Sequence, residues 1–430
     1  MNNIIKSLST LCMVAIVFAT SVQAQQTRDL QNFRYNDKRG VNVFETPKTP
    51  DVLFDGLKVR VGASNTLQFQ AIDHENSGIV PLAGLTNNFN LATSNLDFDI
   101  ALYDGVRMHL RTYLSSQNHP EPYVKGGYMQ IDKLDFIQEG FLSELMDKVT
   151  IKVGHMEINY GDNHFRRSDN AQALYNPFVG NYIMDSFTTE VGGEVYFKSN
   201  GLLAMIGLTN GKLNQSTVEG PVKAKPSYVA KLGYDSQVNE DLRVRITGSV
   251  YATTQNNSIY LYSGDRAGSR YYNVITAPGA GNFRSGRIDP AFGPGRGAPT
   301  VAGEMTSIMI NPFVKFQGVE FYGVFENSSG KAEVESDSRS YTQLGAELLY
   351  RFGNEENYYL GGRYNSVSGE QAGGNDISID RFNIGGGWFL TNNILAKFEY
   401  VKQSYSDYPA GTLYDKAEFS GFMVEAVISF

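Results

Sequence analysis

The chain has 430 residues, of which 41% are hydrophobic, 12% aromatic and only 19% charged, and its formal net charge is -8. This charged fraction is below the roughly 25% of typical soluble domains, and Gly, Tyr and Phe are abundant, which argues against a coiled coil and against a disordered chain. No run of the ~18 apolar residues that a membrane helix needs occurs beyond the N-terminus, which excludes a polytopic helical membrane protein. The acidic balance argues against nucleic-acid binding, which requires a basic patch.

Residues 1–24 are predicted to be a secretory signal peptide. Lys6 supplies the positive charge, residues 11–18 form an apolar core, and Ala24 ends a small-residue cleavage site. The single cysteine, Cys12, lies inside this segment. The mature chain is therefore expected to begin at Gln25 and to have no disulfide, thiolate metal site or thiol nucleophile.

From residue 57 onward, segments of about ten residues alternate apolar and polar side chains with period two. In one segment Leu96 and Phe98 share a face while Asp97 and Asp99 occupy the other. The pattern repeats along the chain and ends on an aromatic residue, Phe430. Alternation of this kind indicates β-strands with one face in an apolar environment and the other in a polar one.

The connections between these segments alternate strictly between short and long. The short ones are 104–105, 137–148, 199–201, 235–241, 317–318, 353–357 and 391–393, and the long ones are 73–93, 115–122, 161–185, 210–226, 253–303, 327–340, 366–376 and 403–417. This arrangement joins sixteen strands and is typical of bacterial outer-membrane barrels. We therefore predict that residues 57–430 form an all-β transmembrane antiparallel β-barrel of about sixteen strands. Its short turns would lie in the periplasm and its long loops outside the cell, in the outer membrane of a Gram-negative bacterium.

A barrel of sixteen strands is wide enough to hold an aqueous channel, so passive diffusion of small polar solutes is the expected function. Charged residues on the faces opposite the apolar set should line this channel. The basic candidates on strands are Arg107, Arg111, Lys152, Lys231, Arg243, Arg245 and Arg363. Around the turn at 104–105, the register predicts that Asp97 lies opposite Arg111 and Asp99 opposite His109, which would neutralise the wall there.

A second hairpin is predicted to bring like charges together. Around the link at 235–241, the predicted register places Lys231 beside Arg245, with Arg243 one step away. Directly opposed like charges are destabilising unless a negative group lies among them. Either this cluster is an anion site facing the lumen, or it is cancelled by acidic residues at the turn, namely Asp235, Glu240 and Asp241.

Two long loops carry further basic residues. The third, 161–185, contains His164, Arg166 and Arg167, which would set anion selectivity if the loop folds into the barrel and would be solvated if it stays outside. The loop at 253–303 contains five arginines and is an extracellular flap, an electrostatic funnel or a constriction.

The apolar residues change parity within the strand near residue 150. Val149, Ile151 and Val153 are expected to face lipid, after which the apolar parity switches to Met156 and later residues. A β-bulge near residues 154–155 is predicted to account for this switch.

Catalysis finds little support in the sequence. The five histidines show no HExxH spacing and no paired metal-ligand pattern, and the glycines at 385–387 lie inside a strand and not in a phosphate-binding turn. We expect no catalytic residue, no metal site and no cofactor. The alternatives to a porin are a barrel plugged by the N-terminal extension, residues 25–56, or by the 253–303 loop, and, as a third choice, an outer-membrane enzyme.

The region from Ile151 to Asp169, followed by Asn176-Pro-Phe-Val-Gly180-Asn and Asp185-Ser-Phe-Thr, resembles the Bacteroidetes branch of the phosphate-selective porin-like family. With the C-terminal strands, the resemblance spans about residues 55 to 430. It implies a trimeric outer-membrane porin with an inward third loop, contacts with membrane lipid and, in the best-known members, preference for anions. This sequence departs from those members in having no long run of Arg and Lys along one wall.

Overall fold

The computed structural model describes residues 29–49, 52–115, 122–211, 217, 220–264, 270–281, 285–293 and 300–430. The predicted signal peptide lies outside the described residues. Among the described residues no helix is long and apolar enough to cross a membrane.

Sixteen antiparallel strands of the described chain form one closed barrel in which each strand pairs with its neighbours in sequence and β1 pairs with β16. The strands are β1 (Lys58–Glu75), β2 (Asn88–Tyr103), β3 (Val106–Ser115), β4 (Tyr123–Ile131), β5 (Val149–Glu157), β6 (Thr189–Ser199), β7 (Leu202–Thr209), β8 (Ser227–Gln237), β9 (Leu242–Asn256), β10 (Gly303–Phe316), β11 (Val319–Ala332), β12 (Arg339–Phe352), β13 (Tyr358–Glu370), β14 (Asp376–Thr391), β15 (Ile394–Ser406) and β16 (Glu418–Ser429). One α-helical turn, α1 (Ser143–Met146), and 3-10 turns at Lys38–Gly40, Asn163–Arg166 and Asn354–Glu356 complete the regular structure of that part of the chain.

The two faces of the wall differ as the alternation predicts. Outward residues such as Ile206 and Leu232 are 69% and 62% exposed, which is the behaviour expected of side chains that contact lipid. Inward residues such as Gln343 and Asn383 are fully buried inside the barrel. The predicted all-β barrel of about sixteen strands is confirmed.

An outward row of aromatic rings marks one end of the barrel. Tyr350, Phe352, Tyr358 and Trp388 stack in sequence, with ring centroids 5.6–5.9 Å apart. All four lie next to short turns, and we call this the turn end. Aromatic girdles at this position are typical of barrels that cross a membrane, because the rings suit the interface between lipid and water.

The last residue takes part in closing the barrel. Phe430 donates its backbone N–H to the Ala63 carbonyl (3.0 Å) and accepts from the Ala63 N–H (3.1 Å). The strand ladder between β1 and β16 therefore continues to the C-terminus, as predicted. It leaves no open sheet edge, which a lipid environment would not tolerate.

The short and long connections alternate as predicted, with some differences in their lengths. The connection between β11 and β12 covers only residues 333–338 and that between β13 and β14 only residues 371–375, because these strands extend further than the apolar alternation does. The connection at the turn end between β4 and β5, residues 132–148, is the longest on that side and contains α1.

The register is as predicted at the first hairpin and different at the second. Asp97 lies opposite Arg111 and Asp99 opposite His109. The predicted pairing of Lys231 with Arg245 is wrong. Lys231 lies opposite Ser249, and Arg245 lies opposite Asp235, because β8 continues to Gln237 and the link shrinks to residues 238–241.

The predicted bulge in β5 is also wrong. The pairing of β5 with β6 runs without a register shift from Val149 to Glu157. Met156 and the residues that follow do not return to lipid. Met156 is fully buried because it shares the inward parity of Thr150 and Lys152 on β5, and Ile158 and Tyr160 are nearly fully buried because the chain turns into the barrel after β5.

Candidate functional site

Three segments occupy the interior of the barrel. They are the N-terminal segment (residues 29–49), the third loop (residues 158–188) and the described parts of the long loop (residues 257–302). Most side chains of the third loop are buried. The lumen is therefore largely filled, and the geometry of the site is set by how these segments pack on the wall.

The N-terminal segment crosses the barrel mouth at the turn end. Lys38 donates its backbone N–H to the carbonyl of Asn392, in the turn between β14 and β15 (2.8 Å). Lys48 donates its side-chain amine to the carbonyl of Val149, at the start of β5 (2.7 Å). These anchor points lie on well-separated strands of the barrel, so the segment spans the opening between them.

Glu45 fixes the middle of this segment. Its carboxylate is 2.9 Å from the Arg245 guanidinium and 3.2 Å from the Lys231 amine, and it accepts a hydrogen bond from Asn159 of the third loop (3.3 Å). Burial by itself would raise the pKa of Glu45, but the charges of Arg245 and Lys231 hold it well below its ordinary value. Glu45 is therefore ionised and joins the N-terminal segment, the third loop and the wall.

The third loop folds into the barrel, as one of the two sequence alternatives predicts. Arg363 on β13 donates to the carbonyl of Gly180 (2.7 Å) and forms an ion pair with Glu347 (2.7 Å). The Tyr182 hydroxyl donates to the same Glu347 (2.7 Å). The loop is thus held by buried, charge-assisted hydrogen bonds to the wall.

The long loop covers the third loop from the opposite end of the barrel. The N–H of Ile288 donates to the Ile183 carbonyl (2.9 Å), and the Tyr271 hydroxyl donates to Glu399 on β15 (2.6 Å). Contacts of this kind indicate a loop packed into the barrel, in contrast to a free extracellular flap. Three of its five arginines, Arg266, Arg284 and Arg296, lie outside the described residues.

A repeated contact connects both loops to the wall: a loop tyrosine donates to a wall glutamate. The pairs are Tyr160 with Glu326, Tyr262 with Glu326, Tyr182 with Glu347 and Tyr271 with Glu399. The inward parity of the glutamates is readable in the sequence. Their tyrosine partners are distant in sequence, and no local signal identifies them.

A cavity of about 130 Å³ remains between the N-terminal segment, the third loop and the wall formed by β1 to β5. Its charged lining is predominantly basic. The cations are Arg34, Arg60, Arg107, Arg111, Lys125 and Lys152, and the carboxylates are Asp99 and Glu157. His109 and His164 also line it.

Three of these cations have carboxylate partners. Arg60 pairs with Asp99 (2.7 Å), Arg111 with Asp97 (2.6 Å), and Lys125 with Asp169 (3.3 Å). These pairs neutralise part of the wall, as the sequence predicts for Asp97 and Arg111.

The other three cations, Arg34, Arg107 and Lys152, form no ion pair with any carboxylate in the described part of the chain. Arg34 lies over the Tyr175 ring, 3.7 Å from its centroid, and Arg107 lies 4.1 Å from the Phe33 centroid. Burial lowers the pKa of Arg34 to about 10, so it remains charged at neutral pH. The cavity therefore carries uncompensated positive charge.

Smaller spaces connect this cavity with the turn end. A space of about 40 Å³ shares Lys152, Glu157 and His164 with it. That space in turn shares Glu45 and Lys198 with a cavity of about 450 Å³ at the barrel mouth. These shared residues outline a narrow route along the wall beside the N-terminal segment.

The predicted pore-lining residues separate into two groups. Arg107, Arg111, Lys152 and His164 border the 130 Å³ cavity, and Arg243 and Arg245 border the cavity at the mouth. Arg166, Arg167, Lys231 and Arg363 do not border either of these cavities.

The second group holds the interior segments in place. Arg166 contacts Glu347 (3.1 Å), and Arg167 makes paired hydrogen bonds to Asp185 inside the third loop (both 2.7 Å). Since these guanidinium groups are buried against carboxylates, they stabilise the third loop and add no free charge to the cavity.

The Lys231 and Arg245 cluster is neutralised, in agreement with the cancellation alternative. Asp235, which the sequence suggests, is 3.0 Å from Arg245. Asp162 of the third loop contacts both cations at 2.8 Å, and Glu45 adds a third carboxylate. The last two could not be identified from the sequence because they come from segments distant in the chain.

Sequence reasoning missed two cavity residues, Arg34 and Lys125. Lys125 lies beside an irregularity in the pairing of β3 with β4, where both Lys125 and Gly126 are buried, so regular alternation does not place it in the lumen. Arg34 lies in a segment without alternation, so no sequence signal places it in the lumen. Among the residues that the structure describes, no group of three or more His, Cys, Asp or Glu side chains could hold a metal ion.

No protein-family model matches the sequence, and no curated protein matches it at a significant level. Solved structures of similar fold include the anion-selective porin from Comamonas acidovorans, with 9% identity, TM-score 0.54, and coverage of 87% of this chain and 100% of that chain. OmpT of Vibrio cholerae in trimer form is also similar, with 11% identity, TM-score 0.53, and coverage of 87% of this chain and 100% of that chain. The outer membrane channel DcaP of Acinetobacter baumannii has 10% identity, TM-score 0.52, and coverage of 87% of this chain and 98% of that chain.

At this level of identity the similarity shows the fold alone. The closed barrel, its apolar outer surface and its aromatic girdle agree with that fold. The chain is an outer-membrane β-barrel with the architecture of the porins of Gram-negative bacteria.

Proposed function

We propose that the protein is a passive channel of restricted conductance for small polar solutes and that it prefers anions. The supporting observation is the polar cavity inside a porin-type barrel, where Arg34, Arg107 and Lys152 have no carboxylate partner in the described chain. The smaller space and the mouth cavity extend this route toward the periplasm.

Electrostatics gives the reason for anion preference. In a narrow passage with low-dielectric walls, a few uncompensated charges dominate the potential, and basic side chains favour anions. The acidic net charge of the whole chain has little effect there, because outer charges are screened over about 8 Å at physiological salt.

A second candidate is a barrel that stays closed and has a structural role. It is favoured by the interior segments, above all by the N-terminal segment anchored on both sides of the mouth. The two candidates differ in whether the intact chain conducts ions.

The remaining parts of the proposal concern assembly and family. A homotrimer is supported by the family resemblance, and the similar OmpT structure is described as a trimer form. The region from Ile151 to Asp169 supports assignment to the phosphate-selective porin-like family. The proposal assigns no catalytic activity to the chain. Residues 1–24 remain a predicted signal peptide.

Planar-bilayer recordings of the purified full chain test the channel. In a KCl gradient we expect small steps and a reversal potential displaced toward that of chloride. Lys152→Met should move the reversal potential toward zero, whereas Lys133→Met, which removes a charge at an exposed turn, should leave it unchanged. If the intact chain gives no steps and deletion of residues 29–49 produces them, the closed barrel is correct. Steps with cation preference contradict the anion part.

A further inference from the structure

The 130 Å³ cavity contains hydrogen-bond donors that the protein does not use. Arg107 is only 4% exposed, yet its Nε has no acceptor. Arg34 donates Nε to the Gly40 carbonyl and Nη2 to the carbonyls of Gly40 and Phe165. Its Nη1 is left without a hydrogen bond in the described chain. Lys152 borders the same cavity and makes only ring contacts in the described chain, 5.0 Å from the Tyr128 centroid and 5.5 Å from that of Tyr196. Of these groups the Arg107 Nε is a buried donor, a kind that normally has a partner, whereas Arg34 and Lys152 are half-buried.

These donors are charged and come from separate elements. Arg34 belongs to the N-terminal segment, Arg107 to β3 and Lys152 to β5. Cations that face one enclosed space repel each other, and the repulsion is stronger there than in water. An anion between them would supply the missing acceptors and offset the repulsion.

The same cavity has unused acceptors. The side-chain NH₂ groups of Asn170 and Gln172 both donate to Glu157, at 2.6 Å and 2.9 Å. This fixes the orientation of the two amides and leaves their oxygens without donors. A simple anion cannot satisfy these oxygens, because it has only acceptors. A ligand that also carries hydroxyl groups can.

We propose that the cavity binds a small hydroxylated carboxylate, such as a sugar acid, with its carboxylate at Arg34, Arg107 and Lys152 and its hydroxyls at Asn170 and Gln172. The proposal rests on the proposed function, since it names the solute of the same route. The volume of about 130 Å³ is room for on the order of ten water molecules at ~10–15 Å³ each, which suits a six-carbon acid.

A consequence follows for the N-terminal segment. Because the ligand contacts Arg34 as well as the wall, it joins the segment to the barrel. Bound solute should therefore protect residues 29–49 from proteolysis. This readout does not depend on ion conduction.

The test titrates four solutes, namely gluconate, sorbitol, propionate and inorganic phosphate, into the detergent-purified full chain. Gluconate carries a carboxylate and hydroxyls, sorbitol has the hydroxyls alone, and propionate has the carboxylate alone. Calorimetric titration should show gluconate binding at least tenfold tighter than sorbitol or propionate. Gluconate should also slow proteolysis of the N-terminal segment. Lys152→Met should weaken gluconate binding at least fivefold, and Lys133→Met should not change it.

Lys152 has no carboxylate partner, so its replacement leaves no unpaired buried charge and should not prevent folding. Equal binding of gluconate and propionate, or tighter binding of inorganic phosphate, would overturn the proposal. Conductance in KCl tests the channel separately: a chain that conducts but does not prefer gluconate loses only this inference, and one that binds gluconate without conducting loses the proposed function.

Discussion

The carboxylate of Glu45 lies 2.9 Å from the guanidinium of Arg245, so a residue of the N-terminal segment forms a buried ion pair with the barrel wall. Breaking a buried pair by removing one partner is costly, because the other charge remains without compensation. The N-terminal segment is thereby tied to the wall at the turn end, where the route reaches the cavity at the barrel mouth.

Replacing Glu45 should release this segment. Glu45→Ala should lower the free energy of unfolding. The decrease should be smaller than the ~3–5 kcal/mol that breaking a buried ion pair costs, because Asp162 and Asp235 still face Arg245. Single-channel conductance should rise at least twofold, and residues 29–49 should become sensitive to protease. Glu139→Gln, at an exposed turn, is the control. Unchanged conductance, with residues 29–49 cleaved no faster than in the parent chain, would show that Glu45 does not hold the segment.

Acidic solution should release the N-terminal segment from the barrel wall. The pKa of Glu45 is lowered in the folded state, so its contribution is complete above the ordinary Glu pKa of ~4.3 and is lost as the pH falls below that. Burial also opposes ionisation of Asp162, but Arg245 and Lys231 lower its pKa in the same way. At constant ionic strength, conductance should be level from pH 8 to pH 5 and should rise in more acidic solution. An increase already at pH 6 would contradict this.

A buried tyrosine contact to a wall glutamate should stabilise the protein more than an exposed hydroxyl contact does. Tyr182→Phe removes a buried donor to the charged Glu347 and should cost about 1.5–3 kcal/mol, measured by denaturant unfolding in detergent. Ser336→Ala removes an exposed hydroxyl that donates to Asp337 in the connection between β11 and β12, and it should change stability by less than about 0.5 kcal/mol because water replaces the bond. Equal effects of the two variants would mean that the third loop is not held in this way.

The sequence predicts strand pairing well where the turn between two strands is short, and less well where the link is longer. The pairing of Asp97 with Arg111 follows from a two-residue turn, which fixes the register of the strands beside it. The prediction for Lys231 and Arg245 fails because the longer link leaves the hairpin centre uncertain, and the resulting shift of four residues along β9 changes every partner.

The candidate site is less predictable, since it depends on contacts between remote segments. Lys152 and Arg107 were identified because strand parity alone decides which face they occupy. Whether each is free or neutralised depends on where the third loop and the N-terminal segment lie. Arg167, for example, is neutralised by Asp185 of its own loop, and no periodicity reveals that.

Close packing between the two loops gives a final prediction. A Cβ at Gly180 of the third loop would lie 1.9 Å from the hydroxyl oxygen of Tyr271, which is fully buried and donates to Glu399. Gly180→Ala should therefore displace Tyr271, at a cost of about 1–3 kcal/mol for overpacking, and should loosen the long loop. Gly248→Ala on β9 is the matched control, because its Cβ would meet no atom within 4 Å. Thermal unfolding should show a lower midpoint for Gly180→Ala alone, and bilayer recordings should show noisier, larger steps. If both variants unfold at the temperature of the parent chain, the two loops do not support each other as described.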